Sequence, residues 1–353
     1  MNTRISVLLL SSILFLTSCG TKRHLSRTVS LPMPADTLRY HQPESNVDSL
    51  FRFTYPDHNR LQQLHKKQEP VVTPQRPKRP FVPSGVAPGT VIRKEYVDVS
   101  EQFHGVDRIG YYQITHRDIP QAFDGFRIVF ASDLHYKSLF RKKELEGLVD
   151  AVNSQFPDLF LLGGDYQEGC EYVPELFEEL SKIRSRYGTS AVMGNNDYER
   201  CHDQIIDEMK RHGMRPLEHQ VDTIRMGKEQ ILIAGVRDPF DLKTNGVSPT
   251  LNLSPSDFVI LLVHTPDYAE DVPVDNSDLV LAGHTHGGQV CILGYAPIVP
   301  SRYGRRFLTG LKYTTAMMPM IITNGLGTSQ KKIRIGAPTE ILVITLKAPK
   351  AKK

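Results

Sequence analysis

From residue 127 onward the chain alternates short apolar runs with amphipathic stretches, and five of the runs end on residues that can bind metal ions. That pattern limits the possible folds more than any global property. Arg127-Ile-Val-Phe-Ala-Ser132, Asp158-Leu-Phe-Leu-Leu162, Thr189-Ser-Ala-Val-Met193, Val259–Val263 and Leu279–Ala282 read as strands, short and largely apolar. Strand character is also expected at Ile109–His116, Ile231–Val236, Met320–Thr323 and Glu340–Leu346. Lys142 to Phe156 reads as a helix, with Leu145, Leu148, Val149 and Val152 at helical spacing. Pro174 to Tyr187 is a second, with Pro174 acceptable in its first turn. Asp203 to Arg211 is a third. Such alternation predicts an α/β domain with largely buried sheets.

The residues after the strands carry the chemistry. Asp133-Leu-His135 follows the first run, Gly163-Gly164-Asp165 the second, and Gly194-Asn195-Asn196-Asp197 the third. His264 follows the fourth, and Gly283-His284-Thr285-His286-Gly287-Gly288 the fifth. Singly, each has an ordinary use. Asp133 and Asp165 can cap a turn, His135 can be a polar loop residue, and Asn195 suits a left-handed turn. His264 can cap the turn before Pro266, and His284 and His286 can be satisfied core histidines. Jointly they place carboxylate, amide and imidazole groups at one rim of an α/β sheet, where ligands bind. Imidazole with carboxylate oxygen suits Zn, Mn or Fe more than Ca or thiolate-preferring metals. Seven candidate ligands exceed what one tetrahedral ion needs. They suit two ions about 3.5–4 Å apart, the arrangement used for in-line displacement at phosphorus.

In this order the motifs resemble the calcineurin-like metallophosphoesterases, from about Gly125 to Leu346. Asp124-Gly-Phe-Arg-Ile128, Gly283-His-Thr-His-Gly-Gly-Gln289 and Asn324-Gly-Leu-Gly-Thr328 resemble the YkuE-like branch. The resemblance implies a sandwich of two mixed β-sheets flanked by α-helices. It implies one divalent or trivalent transition-metal ion on Asp133, His135, Asp165 and His286, and a second on Asp165, Asn195, His264 and His284. Asp165 and a water or hydroxide would bridge them, and the hydroxide would attack phosphorus in a phosphodiester, pyrophosphate or phosphomonoester. One position departs from the pattern. Where the family usually has Gly-Asn-His-Asp or Gly-Asn-His-Glu, Asn196 replaces the histidine credited with contacting phosphate and protonating the leaving group. Asparagine has no proton to give near neutral pH. His202 or His116 is an alternative donor. The competing reading is a catalytically weak metal-binding lipoprotein.

The N-terminus gives a location. Arg4 precedes an apolar run from Ile5 to Leu16, too short to span a bilayer but suited to a secretory signal. Leu16-Thr17-Ser18-Cys19 resembles a bacterial lipobox. That implies cleavage after residue 18, a lipid on Cys19, and a protein held to a membrane of the bacterial envelope, facing the periplasm. Residues 19–90 are polar and end in a proline-rich run that favours an extended tether. The globular domain is expected over 91–347, with a basic tail at 348–353. Lys and Arg total 43 against 39 Asp and Glu, a surplus too mild to suggest nucleic-acid binding. The expected substrate is a phosphorylated small molecule or lipid. Cys170 and Cys201 lie in loops near the ligand rim and can pair or remain free thiols. Cys291 is expected to be a small core residue in an apolar strand. Arg302, Arg305 and Arg306 could meet a phosphate or an anionic head group, or simply line a solvated loop.

Overall fold

The computed structural model describes residues 90–237 and 247–349. The expected signal, Cys19, the tether up to residue 89 and the end of the basic tail lie outside the described residues. In chain order the elements are β1 (Val91–Asp98), β2 (Arg108–Thr115), β3 (Arg127–Ala131), α1 (Lys142–Ser154), β4 (Leu159–Leu162) and α2 (Val173–Leu180). Next come β5 (Thr189–Ala191), α3 (Asn195–Glu199), α4 (His202–Arg211), β6 (Arg215–Pro216), β7 (Gln220–Met226), β8 (Glu229–Gly235) and β9 (Phe258–Leu262). The last are α5 (Tyr268–Asp271), β10 (Leu279–Ala282), β11 (Gly310–Tyr313), β12 (Pro319–Ile322) and β13 (Glu340–Lys347). No helix among the described residues is long and apolar enough to cross a membrane.

The strands form two mixed sheets. The first runs β1-β2-β13-β3-β4-β5-β6, with β3 to β6 parallel and β13 antiparallel to β3. The second runs β11-β12-β10-β9-β8-β7, with β12, β10, β9 and β8 parallel and an antiparallel strand at each edge. Side chains alternate across each strand. Ile128 and Phe130 of β3 and Leu159 and Leu161 of β4 therefore face Ile260, Leu262 and Leu281 of the second sheet in one buried layer. The alternate residues Val129, Ala131, Phe160 and Leu162 pack under α1, α2 and α4 through Leu148, Leu176 and Ile205. On the far side Val259, Leu261, Val280 and Ala282 are covered by Tyr268 and Phe307. This is the expected sandwich of two mixed sheets with outer helices, and it explains why the central strands are apolar throughout: both faces are buried.

Some boundaries differ from expectation. The second helix stops at Leu180 rather than Tyr187. Its end tightens into i→i+3 bonds from Lys182 and Ile183, and the chain then descends so that Tyr187 N–H can donate to the Asp158 carbonyl beside β4. Cys291 is half-buried and outside any named strand. Its N–H donates to the Ile335 carbonyl beside an isolated Val290–Ile335 bridge, so it is not a core residue.

Candidate metal centre

The parallel strands β3, β4 and β5 of one sheet and β9 and β10 of the other point their carboxyl ends at a common rim. The loops after them carry all seven sequence-predicted ligands, and all seven are buried. Five of these ligands have left-handed backbones: Asp133 (φ 54°), His135 (41°), Asp165 (56°), His284 (69°) and His286 (53°). Non-glycine residues rarely adopt that conformation, and its clustering here marks a site where backbone strain is tolerated to aim side chains. The glycines in the motifs have a matching reason. A Cβ at Gly194 would lie 2.1 Å from Asp165 Oδ1, and one at Gly283 would lie 2.3 Å from Asp133 Oδ2. The carboxylates lean on bare backbone.

The side chains gather into two adjoining groups. Asp133, His135 and His286 present ligand atoms within 4.8 Å of one another, and so do Asp165, His264 and His284. Asp165 Oδ2 joins the groups, lying 3.4 Å from both His135 Nε2 and His264 Nε2. His284 Nδ1 is 3.1 Å from His264 Nε2, and His286 Nε2 is 3.5 Å from Asp133 Oδ1. The ring edges are set from behind. His264 Nδ1 bonds the Gly163 carbonyl at 2.8 Å, and His135 Nδ1 meets Glu168 Oε1 at 2.6 Å. Each turns its Nε2 toward the cluster, as backing groups do for ligating histidines. His135 Nε2 and Asn195 Oδ1 are buried without a hydrogen-bond partner. Orphaned acceptors of this kind are costly in a protein interior, and bound cations would satisfy them. The donor set therefore fits a metal centre.

The electrostatics are those of a tight mixed cluster. Burial opposes ionisation of Asp165, but the imidazoles of His264, His135 and His284 hold its carboxyl below the usual range. Burial also works against protonated His264, yet the Asp165 carboxylate raises that imidazole to about 10. Burial and then the charge of His264 push His284 down to about 3. Burial raises the Asp133 carboxyl. Neutral imidazoles and ionised carboxylates are the forms a metal requires, so loading the site would release protons.

Three features support the candidate ligands, and of these Glu168 and Arg334 carried no sequence signal, whereas Asp197 closes the Gly194–Asp197 motif. Asp197, fully buried, accepts from the backbone N–H of Asp165 (2.8 Å), Tyr166 (3.0 Å) and Gly194 (2.8 Å), locking the β4 and β5 loops together. Glu168 backs His135. Arg334, from a distant segment, lies 3.4 Å from His286 Nδ1 and donates to the carbonyls of Asn324, Gly327 and Ala337. The Asn324–Thr328 motif closes behind Asp133, whose carbonyl accepts from Leu326 and Gly327.

Asn196 is at the centre. Its N–H donates to Asp165 Oδ1 (3.0 Å), its Oδ1 accepts from Asn195 Nδ2 (3.0 Å), and its Nδ2 lies 3.2 Å from His135 Nδ1. The alternative donors fare differently. His116 follows β2 at the opposite end of the sheets and contacts Asp118 and Asp278. His202 is engaged by Asp203 and Glu218. Cys170 and Cys201 are joined in a disulfide that ties the loop after β4 to the start of α4. Of the three arginines, Arg302 pairs with Asp271 and Arg306 with Glu270, whereas Arg305 is exposed and stacks over Tyr295.

A two-sheet α/β sandwich with buried Asp, Asn and His converging from five strand ends defines the calcineurin-like phosphoesterases. The chain belongs to that family of phosphoric ester hydrolases, whose model matches residues 126–288. It is 32% identical over 242 residues to the uncharacterized metallophosphoesterase YkuE of Bacillus subtilis (strain 168), covering 65% of this chain and 82% of that relative. It is 27% identical over 250 residues to an uncharacterized metallophosphoesterase of Aquifex aeolicus (strain VF5), covering 68% of this chain and 92% of that one. Among solved structures, the 5'-nucleotidase precursor from Thermus thermophilus aligns with 62% of this chain at 14% identity and a TM-score of 0.36. This chain spans about half of that protein, at 54%.

Proposed function

We propose that the chain is a two-metal phosphoesterase of the bacterial envelope. Asp133, His135, Asp165 and His286 hold one ion, and Asp165, Asn195, His264 and His284 hold the other, each ion being Mn, Fe or Zn. The observation that carries this reading is the pair of buried ligand groups joined at Asp165, with His135 Nε2 and Asn195 Oδ1 left without partners. When bound, such a pair of ions lowers the pKa of water and neutralises charge building at phosphorus. The chain's own residues do the rest. Glu168 and the Gly163 carbonyl fix two imidazoles, and Asp197 holds the β4 and β5 loops in register. Asn196 orients the substrate phosphate with its amide donor. It cannot protonate a departing oxygen, so leaving groups that are already weak bases are favoured: phosphate from a pyrophosphate, or an aryl oxide. The test is a panel of monoesters, diesters, pyrophosphates and phospholipids assayed with and without reconstituted metal. Metal-dependent turnover is expected, fastest for the pyrophosphate and aryl substrates. Absence of turnover with every metal would favour the second reading, a metal-binding envelope lipoprotein, which Asn196 and the long tether support.

For location we propose that Cys19 carries a lipid and holds the protein to a membrane facing the periplasm. The lipobox-like Leu16–Cys19 supports this. Cys19→Ala should abolish lipid labelling and release the protein from the membrane fraction. Unchanged labelling and processing would overturn the proposal.

A further inference from the structure

Directly after the His286–Gly288 turn the chain makes a small protrusion. Ile292 and Tyr295 exchange backbone hydrogen bonds of 2.9 Å, leaving Leu293-Gly294 as the tip of a tight hairpin. Both tip residues have left-handed backbones, with φ of 50° and 80°. A leucine is disfavoured there on conformational grounds, and this one is also wholly exposed, at 102%. The hairpin is braced and not dangling. Cys291 N–H donates to the Ile335 carbonyl, Ile335 N–H to the Gln289 carbonyl, and the Gln289 amide to the carbonyls of Ser329 and Lys331. Ile292, Tyr295, Ile298, Ile333 and Ile335 are exposed on the same braced pair of segments. Contiguous exposed apolar groups mark a surface that meets something.

The charge around them says what. Asp278 and Glu340 bracket a stretch with no Asp or Glu, and its seven Lys and Arg residues fall in two groups, 302–312 and 331–334, on either side of an uncharged interval. Arg302 and Arg306 are neutralised by Asp271 and Glu270. Arg305, over the Tyr295 ring at 4.7 Å, and exposed Lys331 have no carboxylate partner among the described residues. An apolar tip, an amphipathic tyrosine and a cationic collar are the features of an element that enters the interface of an anionic bilayer. A second copy of the chain is the poorer occupant, because a two-fold contact would set the same cations against each other.

We infer that the Gln289–Ile298 hairpin and the Lys331–Ile335 segment form a surface that docks on anionic lipid and seats the metal centre at head-group depth. The surface is bonded to the site itself: Arg334 lies against His286, and His284 hydrogen-bonds Pro300. Resting on the proposed function, this narrows the substrate class to phosphate- or pyrophosphate-bearing amphiphiles held in a membrane.

The chain contains no tryptophan, so Leu293→Trp in the full chain gives a single reporter that works whatever else anchors the protein. Its emission should shift blue on vesicles containing phosphatidylglycerol and be quenched by lipids brominated near the head group. The shift should weaken in high salt. Phe156→Trp, at an exposed position preceding β4 and so at the opposite end of the sheets, should show neither effect. An unshifted Leu293→Trp on vesicles that carry the protein would overturn the proposal. So would a blue shift that depends on protein concentration without lipid, which would indicate a second copy as the occupant. Neither readout needs turnover, so the surface and the proposed catalysis can fail separately. Leu293→Asp should keep its metal content and its rate on a soluble aryl phosphodiester, while its rate on a vesicle-borne substrate falls on the order of tenfold. An equal fall on both substrates would count against docking.

Discussion

At the scale of single residues, the candidate ligands are legible because each stands just after an apolar run, and the groups that orient them are not. Glu168 is an acidic loop residue whose spacing does not distinguish it from a solvated one, and Asp197, although it closes the Gly194–Asp197 motif, has no role that the motif alone reveals. Only the fold brings Asp197 under three N–H groups and Glu168 onto His135. Glu168 is one-third exposed, so its loss should weaken the site more than the fold. Glu168→Ala is expected to lower metal affinity by about 10–100-fold, read by competitive chelation, with little change in Tm. An unaltered affinity would show that the His135 contact has no part in binding. Asn196 makes a sharper case. Supplying an acid there should accelerate poor leaving groups most, within the roughly 10²–10⁴-fold range of general acid catalysis. The measurement is the slope of log rate against leaving-group pKa, expected to be steeper for the native chain than for Asn196→His. Identical slopes would mean that Asn196 does not set the preference.

At the scale of elements, the apolar central strands and the amphipathic helices were readable from periodicity, and the edges were not. β11 is only partly buried and β7 is largely polar, because an edge strand needs no apolar face on both sides. The disulfide also depends on placement: sequence set both cysteines near the rim without fixing their pairing. Closing a loop with a sequence separation of 31, it should contribute about 2–4 kcal/mol. Replacing both cysteines by Ala should lower the denaturation free energy by that amount and loosen the Asp165 and Asn195 loops. An equal stability under reducing and oxidising conditions would contradict this. At the other end of the sheets, burial pushes the Asp278 carboxyl up to about 7, with the charge of Asp118 adding to it. A folded value above the unfolded one, about 3.9, means the stabilising contribution is complete below the unfolded pKa and is lost as pH rises through 7. Asp278→Asn keeps an acceptor for Val259 N–H without the charge. Its Tm should exceed that of the native chain at pH 8, with the gap closing toward pH 5. A gap independent of pH would exclude Asp278 as its source.

At the scale of the whole molecule, the candidate ligands divide between the layers. Asp133, His135, Asp165 and Asn195 come from the first sheet, and His264, His284 and His286 from the second. Ions held by both sets would clasp the sandwich at its rim. Metal should therefore raise Tm, since a ligand that binds only the folded state stabilises it in proportion to its saturation. The two-sheet architecture followed from the motifs through family resemblance, because strand order cannot be read from alternation alone. The hairpin beyond His286 was not foreseen, since its residues read as one more apolar stretch until the fold exposed them. Seven side chains are proposed to hold two ions with Asp165 between them. Elemental analysis of the reconstituted full chain tests it most directly, beside the same analysis of Asp165→Ala. Two ions per chain in the native protein, nearly none in the variant, and a retained fold in both would support it. Fewer than one ion per native chain across Mn, Fe and Zn, or undiminished content in Asp165→Ala, would contradict it.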